Sequence, residues 1–194
     1  SLFLNMTFNK KVNKVQENSK TKTENLNSND GLPTFIPVNP RYDFDQIIMD
    51  EEIKKKIFDS LNVIEQKELI YKEWGFEKVD SKPRSVLNFF GPPGTGKTMC
   101  AHAIAKHLSK PLLALNYSEI ESKYVGDAPK NLKKAFDTAK ELDAVMFFDE
   151  ADSFLGKRIE NVSQGAEQAL NSLRSQMLIL LEDFEGVVLF ATNL

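Results

Sequence analysis

The sequence is short of several features that would place a protein quickly. It has one cysteine, Cys100, and two histidines, His102 and His107. A single cysteine forms no internal disulfide, which excludes a disulfide-stapled secreted domain and fits a reducing compartment such as the cytoplasm. The histidines share no metal-ligand spacing with it, so no zinc site is expected, and Cys100 reads as a small packed residue. No apolar run approaches the ~20 residues that a membrane span requires. Residues 1–6 are too short, and lack the basic flank, for a signal-peptide core. The formal net charge of −3 exerts no global pull on nucleic acid, although a local basic patch stays open. What is present is a 194-residue chain with 41% hydrophobic and 27% charged residues, the balance of a soluble globular domain.

Composition shifts near residue 33. Residues 5–31 are mostly Asn, Lys, Ser, Thr and Glu, with too little apolar surface to offset their ordering entropy, so a flexible polar tail is expected. Pro33, Pro37 and Pro40 extend it as a connector, since proline and the residue before it resist helix. Tail and connector together occupy residues 1–40. They either tether the domain or form an arm that orders on a partner. From Phe44 the pattern turns helical, with Ile53, Ile57, Leu61 and Ile64 on one face and Asp50, Glu51 and Glu52 where carboxylates favour a helix start. This helix is expected to run, broken near Ser60, toward Trp74-Gly75-Phe76, where glycine can end it.

Beyond Pro83 short apolar runs alternate with longer amphipathic ones. Strands are expected at 86–90, 112–116, 145–148 and 187–192, and helices at 99–108, 129–142 and 166–184. Strands separated by helices imply crossovers and a parallel sheet covered on both faces, an α/β three-layer domain spanning residues 41–194.

Between the first strand and its helix stands Gly91-Pro92-Pro93-Gly94-Thr95-Gly96-Lys97-Thr98, a match to G-x4-G-K-[ST] in the context that a phosphate loop needs. Glycines let the backbone N–H groups of Gly94-Thr95-Gly96 and their neighbours, in the loop that Pro93 also lines, encircle phosphate oxygens. The first helical turn, with Met99, adds unpaired amides and a favourable dipole. Lys97 can reach the β- and γ-phosphates of ATP, and the Thr98 hydroxyl can hold Mg²⁺. The competing reading is a glycine-rich turn. Further on, Val145-Met146-Phe147-Phe148 ends in Asp149-Glu150, and ligands in such sheets bind at the carboxyl ends of the strands. Asp149 can orient Mg²⁺ through its water shell, and Glu150 can align and deprotonate an attacking water. Paired carboxylates at a solvated helix start are the alternative. Leu189-Phe190-Ala191-Thr192-Asn193 repeats the design, and Asn193 can hydrogen-bond the γ-phosphate or that water. By itself, an Asn there is a turn residue.

With these motifs in place, the stretch from about Phe44 to Leu194 resembles the AAA-type ATPases. GPPGTGKT is similar to that family's Walker A, FFDEAD to its Walker B and FATN to its sensor-1 strand. The resemblance implies a P-loop NTPase sheet with strand order 1-4-3-2, ATP and Mg²⁺ as cofactors, and ATP hydrolysis. Ser122-Lys123-Tyr124-Val125-Gly126-Asp127 is similar to the pore loop of the protein-remodelling clade. It implies a homo-hexamer that grips a polypeptide client with Tyr124, Val125 and Gly126; the alternative is a tyrosine packed on its own domain. Residues 156–158 would line a second pore loop by the same resemblance. Family members usually carry glycine where the backbone meets the adenine, whereas Asp45-Gln46-Ile47-Ile48-Met49 stands here, so Ile47 and Ile48 are the residues expected to cover the base.

The family's fifth strand, arginine finger and helical lid would lie beyond Leu194, and neither Arg158 nor Arg174 matches the finger's place. A truncated core with weak nucleotide binding and poor turnover is therefore expected, because such a finger is worth about 10³ to 10⁵ in rate. Two alternatives are a nucleic-acid-linked loader, against which the acidic charge and the Tyr124 loop argue, and a nucleotide-binding switch without efficient turnover.

Overall fold

Alternate residues of each strand serve two different layers, and this alternation builds the domain. In the computed structural model, which describes residues 35–66, 73–75, 82–116, 120–121, 127–152 and 164–193, four strands form one parallel sheet. They are β1 (Arg84–Phe90), β2 (Leu112–Leu115), β3 (Val145–Phe148) and β4 (Gly186–Thr192). The order is β1-β4-β3-β2, as the resemblance implies. Among the described residues four helices flank the sheet: α1 (Glu51–Glu65), α2 (Lys97–His107), α3 (Asp127–Leu142) and α4 (Gln164–Asp183). Val145, Phe147, Val187 and Leu189 face α1 and α2, where Ile57, Leu61, Ala101 and Ile104 close the layer. Met146, Phe148, Val188 and Phe190 face the other way, onto Leu132 and Phe136 of α3 and Leu173 and Met177 of α4. Every residue of β3 and β4 is buried, as expected of central parallel strands covered on both faces.

Helix boundaries fall within two residues of expectation from α2 onward, and the signals that set them are local. Gly96 caps α2 in the left-handed conformation, so its first turn opens on bare amides. Pro129 sits in the first turn of α3, where its missing N–H costs nothing. At α1 the expectation needs correction. Asp50 is the N-cap, accepting from the Glu52 amide at 2.8 Å. The helix runs unbroken through Ser60, whose hydroxyl donates to the Lys56 carbonyl one turn back instead of breaking the ladder. It ends at Glu65, with Gln66 as C-cap, well before Trp74. Residues 67–72 lie outside the described ones. Ile53, placed on the core face by its spacing, is 53% exposed, and burial begins only at Ile57. Residues 44–46 form a single 3-10 turn ahead of the helix.

Residues 35–40 form no helix and are anchored at two points. Phe35 enters the layer under α3 and α4, while Val38 and Leu112 exchange backbone hydrogen bonds at 2.8 and 2.9 Å on the edge of β2. At the opposite edge β1 pairs with β4 alone among the described residues, and Phe90 there is 78% exposed. The polar stretch at residues 5–31 lies outside the described residues.

Candidate active site

The carboxyl ends of all four strands meet along one edge of the sheet, and that edge gathers the motif residues. β1 runs directly into the loop at residues 91–96, whose first amide, Gly91 N–H, donates to the Thr192 carbonyl at 3.3 Å. The loop is thereby tied to the end of β4. Gly94 and Gly96 take φ of 80° and 88°, and no atom lies within 4 Å of where a Cβ would stand. The backbone conformation, not crowding, demands glycine at both positions. Inside the loop the Thr95 hydroxyl donates to the Pro92 carbonyl at 2.9 Å. The Lys97 ammonium donates to the Gly91 carbonyl at 2.7 Å and to the Pro92 carbonyl at 3.0 Å. The cation is thus held at the loop by the loop's own carbonyls. Pro93, Gly94 and Thr95 are exposed, and Met99 is half-buried in the first turn of α2.

Beside the loop lies an open cavity of about 380 Å³, lined by Thr98, Ala114, Leu115, Asn116, Phe147, Asp149 and Glu150. Thr98 comes from the start of α2, while the two carboxylates come from the end of β3. The Asp149 amide donates to the Leu115 carbonyl at 2.8 Å, continuing the β2–β3 ladder one residue past the strand. Its side-chain oxygen accepts from the Glu150 amide at 2.9 Å. The chain then turns sharply: Glu150 has φ of 51°, and the Ala151 amide donates to the Ala191 carbonyl of β4 at 2.8 Å. The turn leaves Asp149 half-buried and Glu150 exposed, and both line the cavity with Thr98.

One hydroxyl and two carboxylates form a set of oxygen donors with no sulfur or imidazole among them, which suits a hard cation. Among the described residues no cluster of three or more His, Cys, Asp or Glu side chains is arranged to hold a metal. Such a sparse set fits Mg²⁺, which keeps most of its waters and takes the rest of its ligands from phosphate, and does not fit a protein-only cage.

Not every candidate residue converges here. Asn193 follows β4 directly, next to Thr192 and the start of the phosphate loop, yet it is exposed and does not line the cavity. Ile47 packs against the layer of α1 and α2, whereas Ile48 is fully exposed. Tyr124, Val125 and Gly126 lie outside the described residues, as do residues 156–158. Cys100 is buried in α2 and its thiol is pushed up to about 11 by that burial, in keeping with a packing role. Sequence reasoning missed Asn116. The signal was present: LLALN ends an apolar strand in a polar residue, as VMFFDE and LFATN do.

Comparison with known proteins agrees with this geometry. The family model described as "ATPase family associated with various cellular activities (AAA)" matches residues 87–194, more than half of the chain. An uncharacterized AAA family ATPase of Sinorhizobium fredii is 34% identical over 58% of this chain and 34% of its own length. The 26S proteasome regulatory subunit 7 homolog of Schizosaccharomyces pombe is 34% identical over 61% of this chain and 28% of its own length. Spastin of Drosophila persimilis is 37% identical over 57% of this chain and 15% of its own length. The chain spans about a third or less of the length of these relatives. Among the described residues no helix is long and apolar enough to cross a membrane. A phosphate loop matching G-x4-G-K-[ST], a carboxylate pair at the end of β3, the β1-β4-β3-β2 sheet and the match over residues 87–194 lead to one conclusion: the chain belongs to the AAA family of ATPases.

Proposed function

We propose that residues 41–194 form a nucleotide-binding core that binds ATP with Mg²⁺ and hydrolyses it to ADP and phosphate. The observation that carries this reading is the meeting of Thr98, Asp149 and Glu150 around one cavity beside the Lys97 loop. The loop at residues 93–96, through the N–H groups of Gly94, Thr95 and Gly96, and the bare first turn of α2, including Met99, surround the phosphates, and Lys97 exchanges its loop carbonyls for β- and γ-phosphate oxygens. Thr98 and Asp149 would hold Mg²⁺, Thr98 through its hydroxyl and Asp149 through the ion's water shell, and the ion would supply positive charge against the phosphoryl group. Glu150 aligns the attacking water and accepts its proton, and Asn193 contacts the γ-phosphate or that water. Ile47 and Ile48 lie on the adenine side.

The same proposal extends to work on proteins in the cytoplasm. A relative that is by name a homolog of a 26S proteasome regulatory subunit supports assembly with other subunits, and the family resemblance implies that this assembly is a homo-hexameric ring. Tyr124, Val125 and Gly126 would then grip a polypeptide client in the central pore, an aromatic engaging many backbones without reading their sequence.

Nucleotide titration and phosphate release test the core of this reading. Lys97→Ala removes a charge-assisted contact and should weaken ATP binding by roughly 10-fold or more. Glu150→Gln should bind ATP as the parent does and lose turnover by about 10² or more. A Glu150→Gln protein that hydrolyses at the parental rate overturns the assignment.

A further inference from the structure

One segment connects the two layers of the fold, and a histidine fastens it. Residues 35–49 enter under α3 and α4 at Phe35, cross the edge of the sheet at Val38, and continue over α2 to Ile47 and Met49, which pack against the α1–α2 layer. Over α2 the strap makes three successive contacts. The Arg41 amide donates to His102 Nδ1 at 3.3 Å, with the Tyr42 ring edge-on to the imidazole at 5.6 Å. One turn along the helix, Lys106 pairs with Asp43 at 2.6 Å. Phe44 then meets Phe58 of α1 and His107 at centroid distances of 4.9 and 6.0 Å.

Of these contacts, only the first depends on an imidazole lone pair. Nδ1 can accept from Arg41 only while it carries no proton; a second ring proton would set N–H against N–H. We propose that His102 is a pH-sensitive latch: neutral, it holds the strap on α2, and protonated, it releases the strap and weakens nucleotide binding at the helix it covers. The release concerns the fold alone, whereas its effect on nucleotide rests on the ATP-site reading above.

The surroundings favour the neutral ring. Burial, and then the Arg41 guanidinium, hold the His102 pKa below the usual 6.5. Of the other charged groups on the two elements, Asp43 and Lys106 are paired with each other, Lys97 donates to the phosphate-loop carbonyls at the far end of α2, and Asp45 lies in the turn at residues 44–46. The other imidazole near the strap, His107, has its Nε2 3.3 Å from a Glu65 carboxylate oxygen of α1 and makes no hydrogen bond to the strap. With the latched pKa depressed, the released strap binds more protons, so release grows as pH falls through about 6.5.

Amide exchange of residues 41–47 without nucleotide, corrected for the intrinsic pH dependence, tests the latch. Between about pH 7.5 and about pH 5.5 the parent should lose about threefold in protection, with β3 and β4 amides unchanged. His102→Asn keeps an acceptor near Nδ1 but cannot take the proton, and its protection should stay flat. A flat parent, or equal pH dependence in both proteins, overturns the proposal. Should His102→Asn fail to fold, ¹⁵N titration of the parental imidazole decides: a midpoint at or above the ordinary value overturns the latch. Fluorescent ADP binding then tests the coupling, with a larger acid loss expected in the parent than in His102→Asn. Equal acid losses overturn the coupling and leave the exchange result standing. Absence of ADP binding at every pH instead overturns the ATP-site reading.

Discussion

Glu150 holds a backbone conformation that most side chains avoid, with φ of 51°. Ser109 and Asp143 share that region, but each follows a helix, where the next amide closes back on a carbonyl five residues earlier (Lys110 to Ala105, Ala144 to Ala139, both 2.9 Å). A left-handed residue is ordinary in such a cap. Glu150 follows a strand instead, and the turn that bends its backbone also exposes its carboxylate beside Asp149 and Thr98. Left-handed strain costs roughly 1 kcal/mol or somewhat more for a residue with a Cβ. Glu150→Gly should therefore add about 1 kcal/mol at most to the unfolding free energy, after glycine's extra chain entropy, seen as a higher urea midpoint, while abolishing ATP turnover. A destabilised Glu150→Gly would show that the turn carries no strain. Asp149 and Glu150 are legible from sequence as the end of an apolar strand, but the positive φ is not, because nothing in the residue types asks for it.

The helices separate what periodicity can say from what it cannot. In α1, spacing identifies the face with Ile57, Leu61 and Ile64, all buried. The same spacing includes Ile53 and errs there, because a stripe marks a direction around the helix and not how far the sheet extends beneath it. Leu61 is fully buried in the α1–α2 layer. Leu61→Ala should cost about 2 to 5 kcal/mol, seen as a lower urea midpoint with an unchanged slope. At the far end of the sheet, Lys82 and Asp183 form an ion pair that ties the approach to β1 to the last residue of α4. The Lys82 hydrogen bond, and then its charge, hold the Asp183 carboxyl below its usual 3.8. A carboxylate with a depressed pKa contributes stability that is present above about pH 4 and lost as pH falls through the lower folded value. Asp183→Asn should flatten the acid limb of a melting-temperature profile at low salt, and added salt should shrink the difference. An unchanged acid limb would count against the pairing.

At the scale of the whole molecule, the four strand ends share one edge, so a ligand held there bridges elements far apart in the chain. ATP with Mg²⁺ at about 100 times its dissociation constant should add about 2.7 kcal/mol to stability. For a chain of this size that raises the melting temperature by about 5 to 10 °C. Lys97→Ala should lose most of the rise, and an equal rise in both proteins would place the ligand elsewhere. The sequence by itself determined the α/β class, the strand–helix alternation, the phosphate loop and the acidic end of β3. Each of these is written in neighbouring residues, as periodicity, glycine spacing or a polar residue closing an apolar run. Tertiary structure alone decided that Asn116 joins Thr98 and Glu150 around one cavity while Asn193 stands outside it. It also decided that residues 35–49 fasten to His102 and Lys106. These contacts join residues more than sixty positions apart in one case and three separate strand–helix units in the other. They depend on how the layers stack, a property that no local pattern encodes.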